Sequence, residues 1–309
     1  MLASRRDRAP RPRRVNSVPS LLIAGAGELG ARLAARQSAL GHEVVAMRRR
    51  DREVPGARLL RADLGSGEGF ARLPRRPDAL VFCAAPDERD EAAYRRLYLD
   101  GLRRLLDAVD TPRLVFVSST AVYAQDAGEW VTETTAAVPT RFNGRVLLES
   151  ERELDAHPGG VVLRLSGLYG PGREAMRRKA QAGEAGRVHW TNRIHLDDAA
   201  AALSQLLALP SPQRLYLGSD DAPALECEVL AWLREDEGLP AIPLPAGVAS
   251  GRRIANTRLR ASGWQPRFPD FRSGYADPTP PRGRRAGKLP IPHERDRAQR
   301  GESCFWTMR

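Results

Sequence analysis

Short apolar runs alternate with helical periods through the first half of this 309-residue chain. Runs of this kind are typical of strands that are buried on both faces of a sheet. They are LLIAG (21–25), EVVAM (43–47), RLLRAD (58–63), ALVFCAA (79–85), RLVFVSS (113–119) and GVVLRLS (160–166). Helical periods separate most of them, at 28–40, 90–109 and 142–156. Because helices that connect parallel strands make right-handed crossovers, the alternation predicts an α/β fold with a doubly wound parallel sheet.

The second half of the chain is less regular. After residue 166, helical periods remain near 197–208 and 225–236, which predicts a small C-terminal cap, about 167–276, added to the sheet. The two ends, 1–19 and 277–309, contain many proline and arginine residues and no apolar periodicity. We therefore expect disordered tails on either side of one folded unit, residues 20–276.

The positive charge of the chain is concentrated in these tails. The net charge is +11, of which residues 1–19 carry +5 and residues 277–309 carry +4, leaving +2 for the centre. Arginine outnumbers lysine throughout, since only Lys179 and Lys288 are lysines. The central part has no basic surface of its own, so we expect no nucleic-acid partner. The alternative to this expectation is that the positively charged tails bind RNA.

No segment predicts a membrane span, a secretion signal or a metal site. The chain has no run of 18 apolar residues, and its first 19 residues lack the apolar middle of a signal peptide. Cys83, Cys227 and Cys304 lie far apart, and the five histidines do not cluster with carboxylates. We therefore predict a cytoplasmic protein without a metal ion.

Three glycines follow the first predicted strand at the start of the first predicted helix. Gly25, Gly27 and Gly30 form the pattern GxGxxG, with Glu28 and Leu29 between the last two. Glycine lets the backbone turn tightly and approach a pyrophosphate, whose charge then lies at the N-terminus of the helix. This pattern between a strand and a helix predicts a Rossmann-type dinucleotide site.

Three arginines stand where the second predicted strand ends. A carboxylate at this point would bind the adenosine ribose of NAD, whereas Arg48, Arg49 and Arg50 suit the 2′-phosphate of NADP. We predict NADP, with NAD possible if Asp51 reaches the ribose. Asp63 is placed to accept a hydrogen bond from the adenine amino group. We also expect Leu64, Ala84 and Ala85 to contact the dinucleotide.

With these segments in place, the chain resembles the extended or atypical branch of the short-chain dehydrogenase/reductases, which contains NAD-dependent epimerases and dehydratases. The matching segments are the glycine turn, RADL (61–64), VFVSSTAVY (115–123), RLSGLYGPGR (164–173) and NRIHLDDAA (192–200). Ala24 replaces the first glycine of the extended branch and fits the atypical branch better. The resemblance implies a substrate cap and a homodimer through helices 90–109 and 142–156.

The resemblance also implies a serine and a tyrosine–lysine pair, but this chain lacks the pair. Ser119 matches the serine, while Asn143 and Leu147 stand at the tyrosine and lysine positions. No lysine precedes Lys179, so no shift of the alignment recovers one. Tyr123 is an alternative proton donor, although its ring could equally pack beneath the cofactor loop. We expect His195 to cap the helix that starts at 197.

Arg164 and Arg193 are predicted to face the substrate, because the family uses basic residues there to bind substrate phosphates. Only residues 171–187 separate YGPG from the next strand, which is short for enclosing a nucleotide sugar. Two functions remain open. One is an NADP-dependent oxidoreductase or epimerase that acts on a small carbonyl, hydroxyl or sugar-type substrate. The other is a catalytically inactive NADP(H)-binding sensor or scaffold.

Overall fold

The computed structural model describes residues 19–276, and both predicted tails lie outside this range apart from residue 19. Its strands are β1 Ser20–Ala24, β2 Glu43–Arg48, β3 Arg58–Arg61, β4 Ala79–Phe82, β5 Leu114–Ser119, β6 Ala127–Val131, β7 Gly160–Leu165, β8 Gly167–Tyr169, β9 His189–Thr191, β10 Arg193–His195, β11 Leu215–Gly218, β12 Ala224–Leu225 and β13 Ser250–Ile254. The six predicted strands are β1 to β5 and β7, each within a few residues of its predicted ends.

The longer helices follow the predicted periods, whereas three short helices after residue 166 were not predicted. They are α1 Glu28–Ala39, α2 Glu91–Tyr94, α3 Leu102–Ala108, α4 Phe142–Glu153, α5 Ala175–Gln181, α6 Leu196–Ala208, α7 Glu226–Asp236, α8 Thr257–Ala261 and α9 Phe271–Tyr275. A π-helical segment, Arg95–Gly101, joins α2 to α3, so the predicted helix 90–109 is continuous but locally widened. Within the described residues, no helix has the length and apolar character needed to cross a membrane.

Seven strands form one parallel sheet in the order β11-β7-β5-β4-β1-β2-β3. The order reverses between β1 and β4, as expected for a doubly wound sheet. Helices α1 and α6 pack together on one face of the sheet. Leu33 of α1 and Leu203 of α6 join Ile23 of β1 in one apolar cluster there. On the other face, α3 and α4 cover Phe82 and Phe116. The predicted Rossmann-type α/β fold is confirmed.

The region predicted as a cap is divided between the main body and a smaller sheet. Within 167–276, strand β11 becomes the seventh strand of the main sheet and α6 covers one of its faces. A second sheet has the order β12-β9-β13-β6, and its strand β6 comes from before residue 167. These strands have two to five residues each, too few to produce a clear apolar period.

Helix α4 lies unusually close to the turn that follows β5, and Gly144 makes this possible. A Cβ atom at Gly144 would lie 2.3 Å from the Ala121 carbonyl oxygen and 2.7 Å from the Pro139 Cβ. We expect Gly144→Ala to lower the free energy of unfolding by about 1–3 kcal/mol, because the overlap outweighs the roughly 1 kcal/mol that alanine gains in a helix. Urea denaturation measures this change.

The control is Arg152→Ala on the exposed side of the same helix, which we expect to change stability by less than about 0.5 kcal/mol. A Gly144→Ala variant that is more stable than the unmutated chain would contradict the close approach of α4.

Candidate functional site

A cavity of about 730 Å³ opens at the carboxyl ends of the central strands. Ligands of doubly wound sheets bind at this edge, where the strand order reverses. The lining contains nearly every residue predicted to bind a dinucleotide. These residues are Gly25, Gly27, Glu28, Leu29, Arg48, Arg49, Asp63, Leu64, Ala84 and Ala85. Gly30 does not line the cavity, because it faces the backbone of Gly25.

Each glycine of the turn has its own structural role. Gly25 has a φ of 98°, and a Cβ atom there would lie 2.3 Å from the backbone of Ala84. At Gly30, a Cβ atom would lie 2.7 Å from the Gly25 carbonyl oxygen, so this glycine lets α1 pack against β1. Gly27 is different, since nothing lies within 4 Å of its Cβ position. The backbone at Gly27 is therefore open to a ligand at the start of α1.

The residues present fit a dinucleotide. The open backbone at Gly27 precedes α1, whose first N–H groups receive no side-chain cap from that residue. Unpaired N–H groups and the positive end of the helix dipole favour a pyrophosphate here. From this point the cavity extends to Arg49 in one direction and to Ser119 in the other. The lining therefore offers one end for the adenosine half of a dinucleotide and one end for the nicotinamide half.

Arginine side chains surround the adenosine end. Arg48, Arg49 and Arg50 all line the cavity, whereas Asp51 does not. Burial, followed by repulsion from Arg52 and Arg50, lowers the pKa of Arg48 from its usual value. The Arg49 guanidinium donates to an Asp87 carboxylate oxygen at 2.5 Å, and both side chains are more than half exposed. Asp63, Asp87 and Glu88 line the same cavity, so arginine and carboxylate side chains lie there together.

The nicotinamide end has a different chemical character. Its lining from β5, α4, β7 and the residue after β7 consists of Val117, Ser118, Ser119, Leu147, Leu165 and Ser166. None of these six side chains titrates near neutral pH. The Ser119 hydroxyl accepts the Ala121 N–H at 3.2 Å, and Asn143 lies outside the lining. Helix α4 thus presents only Leu147 where the resemblance implies an acid–base pair.

Tyr123 lies in the core and not at the cavity. Its side chain is 3% exposed, and its hydroxyl accepts a hydrogen bond from Arg164 Nη1 at 2.7 Å. Burial raises the pKa of Tyr123, with partial compensation from Arg164. The phenol therefore stays protonated and does not reach the cavity lining. This placement corrects the prediction of a catalytic Tyr123, because its hydroxyl lies in a buried network and outside the cavity lining.

Arg164 is also buried, which corrects its predicted contact with substrate. It forms a two-pronged ion pair with Glu151 of α4, with distances of 3.0 Å from Nε to Oε1 and 2.6 Å from Nη2 to Oε2. Ser118 pairs in register with Arg164 and donates to Glu151 Oε1 at 2.5 Å. Because Ser118 lines the cavity, it connects the cavity to this buried network.

Sequence reasoning missed both Ser118 and Glu151. A signal was present, since Glu151 follows Leu147 by four residues and therefore lies on the same face of α4. Its partner Arg164 was singled out, but as a substrate contact, because nothing in the sequence of β7 shows that Glu151 lies beside it.

Arg193 does not line the cavity either. It is 5% exposed, donates to the Thr191 hydroxyl and lies 5.2 Å from the centre of the Phe271 ring. All three residues of β10 are buried, so the arginine packs inside the protein and not toward the cavity, which corrects its predicted contact with substrate. Nearby, burial raises the pKa of Asp220 to about 8, which Arg193 partly opposes.

The prediction for His195 is confirmed. Its Nδ1 accepts the Asp197 N–H at 3.2 Å and caps α6, and the ring is fully buried.

Cys83 lines the cavity, where its thiol donates to the Gly25 carbonyl oxygen at 3.2 Å. Burial raises the pKa of Cys83 to about 12. The thiol therefore stays protonated and is a poor nucleophile.

Arg173 is a cavity residue that the sequence did not single out. Its Nε donates to Glu28 Oε2 at 2.9 Å, so it joins the loop after β8 to the glycine turn. The segment YGPGR contributed to the family resemblance, but nothing in it marked the arginine as facing the glycine turn.

Comparison with known proteins agrees with this geometry. The model of the NAD dependent epimerase/dehydratase family matches residues 21–214. Protein YeeZ of Escherichia coli strain K12 is 34% identical over 206 residues, which cover 63% of this chain and 75% of that protein. The 2′-dehydrokanamycin reductase of Streptomyces kanamyceticus is 26% identical over 213 residues, which cover 61% of this chain and 57% of the reductase.

A solved structure gives the same picture. The structure of an NAD-dependent epimerase/dehydratase candidate from Methylobacillus flagellatus has a TM-score of 0.74 and 39% sequence identity. The match covers 84% of this chain and 97% of that one. Together with the family match, it confirms the resemblance to the extended branch of the short-chain dehydrogenase/reductases.

The placement of Tyr123 and Arg164 in the core can be tested by separating stability from binding. We expect Tyr123→Phe to lower the free energy of unfolding by about 1–2 kcal/mol, because it removes a buried hydrogen bond to a charged group. Arg164→Met should cost about 3–5 kcal/mol, since it leaves Glu151 buried without its cation. Urea denaturation gives these values, and calorimetry should show that Tyr123→Phe leaves dinucleotide affinity unchanged. Unchanged stability with lost affinity would instead place Tyr123 at the site.

Proposed function

The chain belongs to the NAD dependent epimerase/dehydratase family, and from this premise we propose that it is an NADP-dependent oxidoreductase. Its proposed substrate is a small molecule that carries a carbonyl or hydroxyl group. The observation that carries the proposal is the cavity, which places the glycine turn between three arginines and a serine-lined end. The proposed homodimer through 90–109 and α4 stays a prediction.

The choice of NADP rests on the charges at the adenosine end. The 2′-phosphate of NADP is an anion, and guanidinium groups form paired, charge-assisted hydrogen bonds with phosphate oxygens. Arg48 and Arg49 would supply these bonds, while Asp63 would accept from the adenine amino group. Asp51, the residue that could favour NAD, lies outside the cavity lining.

The chain's own residues would bind and orient the reactants. Bound nicotinamide supplies hydride transfer to or from a carbon atom. The hydroxyl groups of Ser118 and Ser119 are the polar groups available to hold the reacting oxygen at the end of β5. Leu147 and Leu165 line the same end and would exclude water. Ser118 already gives its one hydroxyl proton to Glu151, so Ser119 is the donor left for a substrate carbonyl oxygen. The proton that completes carbonyl reduction would come from solvent at the mouth of the cavity.

A small substrate agrees with the short connection between β8 and β9. Residues 170–188 contain only the short helix α5 between those strands. This connection provides little chain to enclose a nucleotide sugar. The similarity to a reductase favours carbonyl reduction over sugar epimerisation in this proposal.

A second candidate is a catalytically inactive NADP(H)-binding sensor or scaffold. The specific observation in its favour is the nicotinamide end of the cavity, where β5, α4 and β7 contribute no side chain that titrates near neutral pH. Binding with no turnover would distinguish this candidate from the first.

Cofactor preference provides the first test. The double change Arg48→Ala and Arg49→Ala should weaken NADP binding on the order of 10- to 100-fold and change NAD binding by less than threefold, because only NADP carries the 2′-phosphate. Isothermal calorimetry with both dinucleotides measures this. Arg52→Ala is the matched control, since it removes a nearby positive charge from outside the lining. Tighter binding of NAD than of NADP by the unmutated chain would overturn the assignment.

Turnover provides the second test. The unmutated chain should oxidise NADPH in the presence of at least one member of a panel of small aldehydes, ketones and hydroxyketones. We expect Ser119→Ala to lower the rate on the order of 100-fold, because a donor to the reacting oxygen is lost. NADPH affinity should stay unchanged. NADPH binding without turnover by the unmutated chain would favour the sensor or scaffold.

A further inference from the structure

An ion pair between Arg173 and Glu28 joins the turn after β8 to the start of α1 at the cavity. Arg173 lies in the turn after β8, where Gly170 and Gly172 both have positive φ values and the Arg173 N–H bonds to the Gly170 carbonyl oxygen. Its partner, Glu28, is the first residue of α1. Both side chains line the cavity, and they are 41% and 46% exposed. The pair therefore joins the glycine turn to the opposite side of the cavity.

The position of Glu28 creates an electrostatic problem for the expected ligand. The start of α1 is the place where a pyrophosphate finds free N–H groups and the positive end of the helix dipole. A carboxylate in the same first turn gains from that dipole when the cavity is empty. It repels a pyrophosphate that comes to the same N-terminus. Dinucleotide binding then needs a cation beside Glu28, and Arg173 is the cation that touches it.

The geometry of Arg173 suits two anions at once. A guanidinium group has five N–H donors in a rigid, planar arrangement, and only its Nε is bonded to Glu28. Because the Arg173 side chain lines the cavity, its two Nη nitrogens are available to donate to a ligand there. A lysine ammonium would act as a point charge and could not hold both groups in one fixed arrangement.

We propose that Arg173 is a pyrophosphate-binding residue that neutralises Glu28 and closes the cavity over the dinucleotide. The proposal rests on the proposed dinucleotide binding, but on neither NADP preference nor turnover. A surface ion pair with no ligand role contributes about 0–1 kcal/mol to stability. Such a pair would leave ligand affinity unchanged when it is removed.

The experiment measures binding of NADP, NAD and ADP-ribose to the full chain by calorimetry. ADP-ribose contains the pyrophosphate but no nicotinamide, and 2′-AMP contains neither. Arg173→Ala should weaken the first three ligands by a common factor on the order of tenfold, because the lost contact is to the group they share. It should leave 2′-AMP affinity within twofold. The fold-losses for NAD and NADP should agree, whichever of the two binds more tightly.

Three further variants test the role of Glu28 and of charge. Glu28→Gln should leave dinucleotide affinity equal or slightly higher, since it removes the repulsion. Arg173→Ala in the Glu28→Gln background should cost less than in the unmutated chain. Arg260→Ala is the matched control, because it also breaks a partly exposed ion pair, with Asp221, but lies outside the cavity lining and outside the proposed dimer helices. Its affinities should match those of the unmutated chain.

Each outcome separates this proposal from the proposed function. Unchanged NAD, NADP and ADP-ribose affinities in Arg173→Ala would overturn the role of Arg173 and leave the oxidoreductase intact. An equal loss for 2′-AMP would also overturn it, since the effect would then not depend on pyrophosphate. A loss shared by the three pyrophosphate ligands, in a chain without turnover, would support Arg173 and remove the oxidoreductase. If the unmutated chain bound none of the four ligands, both proposals would fall.

Discussion

The site depends on the close contact between the turn after β1 and the chain after β4. Gly25 touches the backbone of Ala84 so closely that no side chain fits between them, and its positive φ turns the chain sharply into α1. This contact brings the N-terminus of α1 to the carboxyl edge of the sheet. The cavity, its open backbone at Gly27 and its positive electrostatic character at the helix start all follow from that one steric constraint.

Polar side chains that the family resemblance places at the substrate form a buried hydrogen-bond network in this fold. Arg164 and Ser118 lie side by side on neighbouring parallel strands, and both contact Glu151 from α4. A buried ion pair is costly to desolvate, so it is tolerated only when its hydrogen bonds are well satisfied. Here Tyr123 and Ser118 supply the additional bonds. The network fixes α4 against the sheet, and only its Ser118 end reaches the cavity.

Sequence patterns predicted the main sheet and most residues that line the cavity at its carboxyl edge, because both depend on local signals. The apolar runs, the glycine turn and the arginines after β2 each lie within a few consecutive residues. The short strand β11, the smaller sheet and the pairing of Arg173 with Glu28 depend on segments far apart in the chain. The roles predicted for Tyr123, Arg164 and Arg193 failed for the same reason. Their neighbours come from other elements, which cover these side chains instead of exposing them.

By itself, the sequence determined the order of β1 to β5 and β7 with the helices between them, the tight turn that only glycine permits, and the absence of a tyrosine–lysine pair. These are properties of residue type and local spacing, and no packing can supply a side chain that the chain lacks. Only the tertiary structure decided which arginines face the cavity and which lie in the core. Every arginine has the same charge in the sequence, but its surroundings differ. A guanidinium held by Glu151 is structural, and one that lines the cavity is available to a ligand.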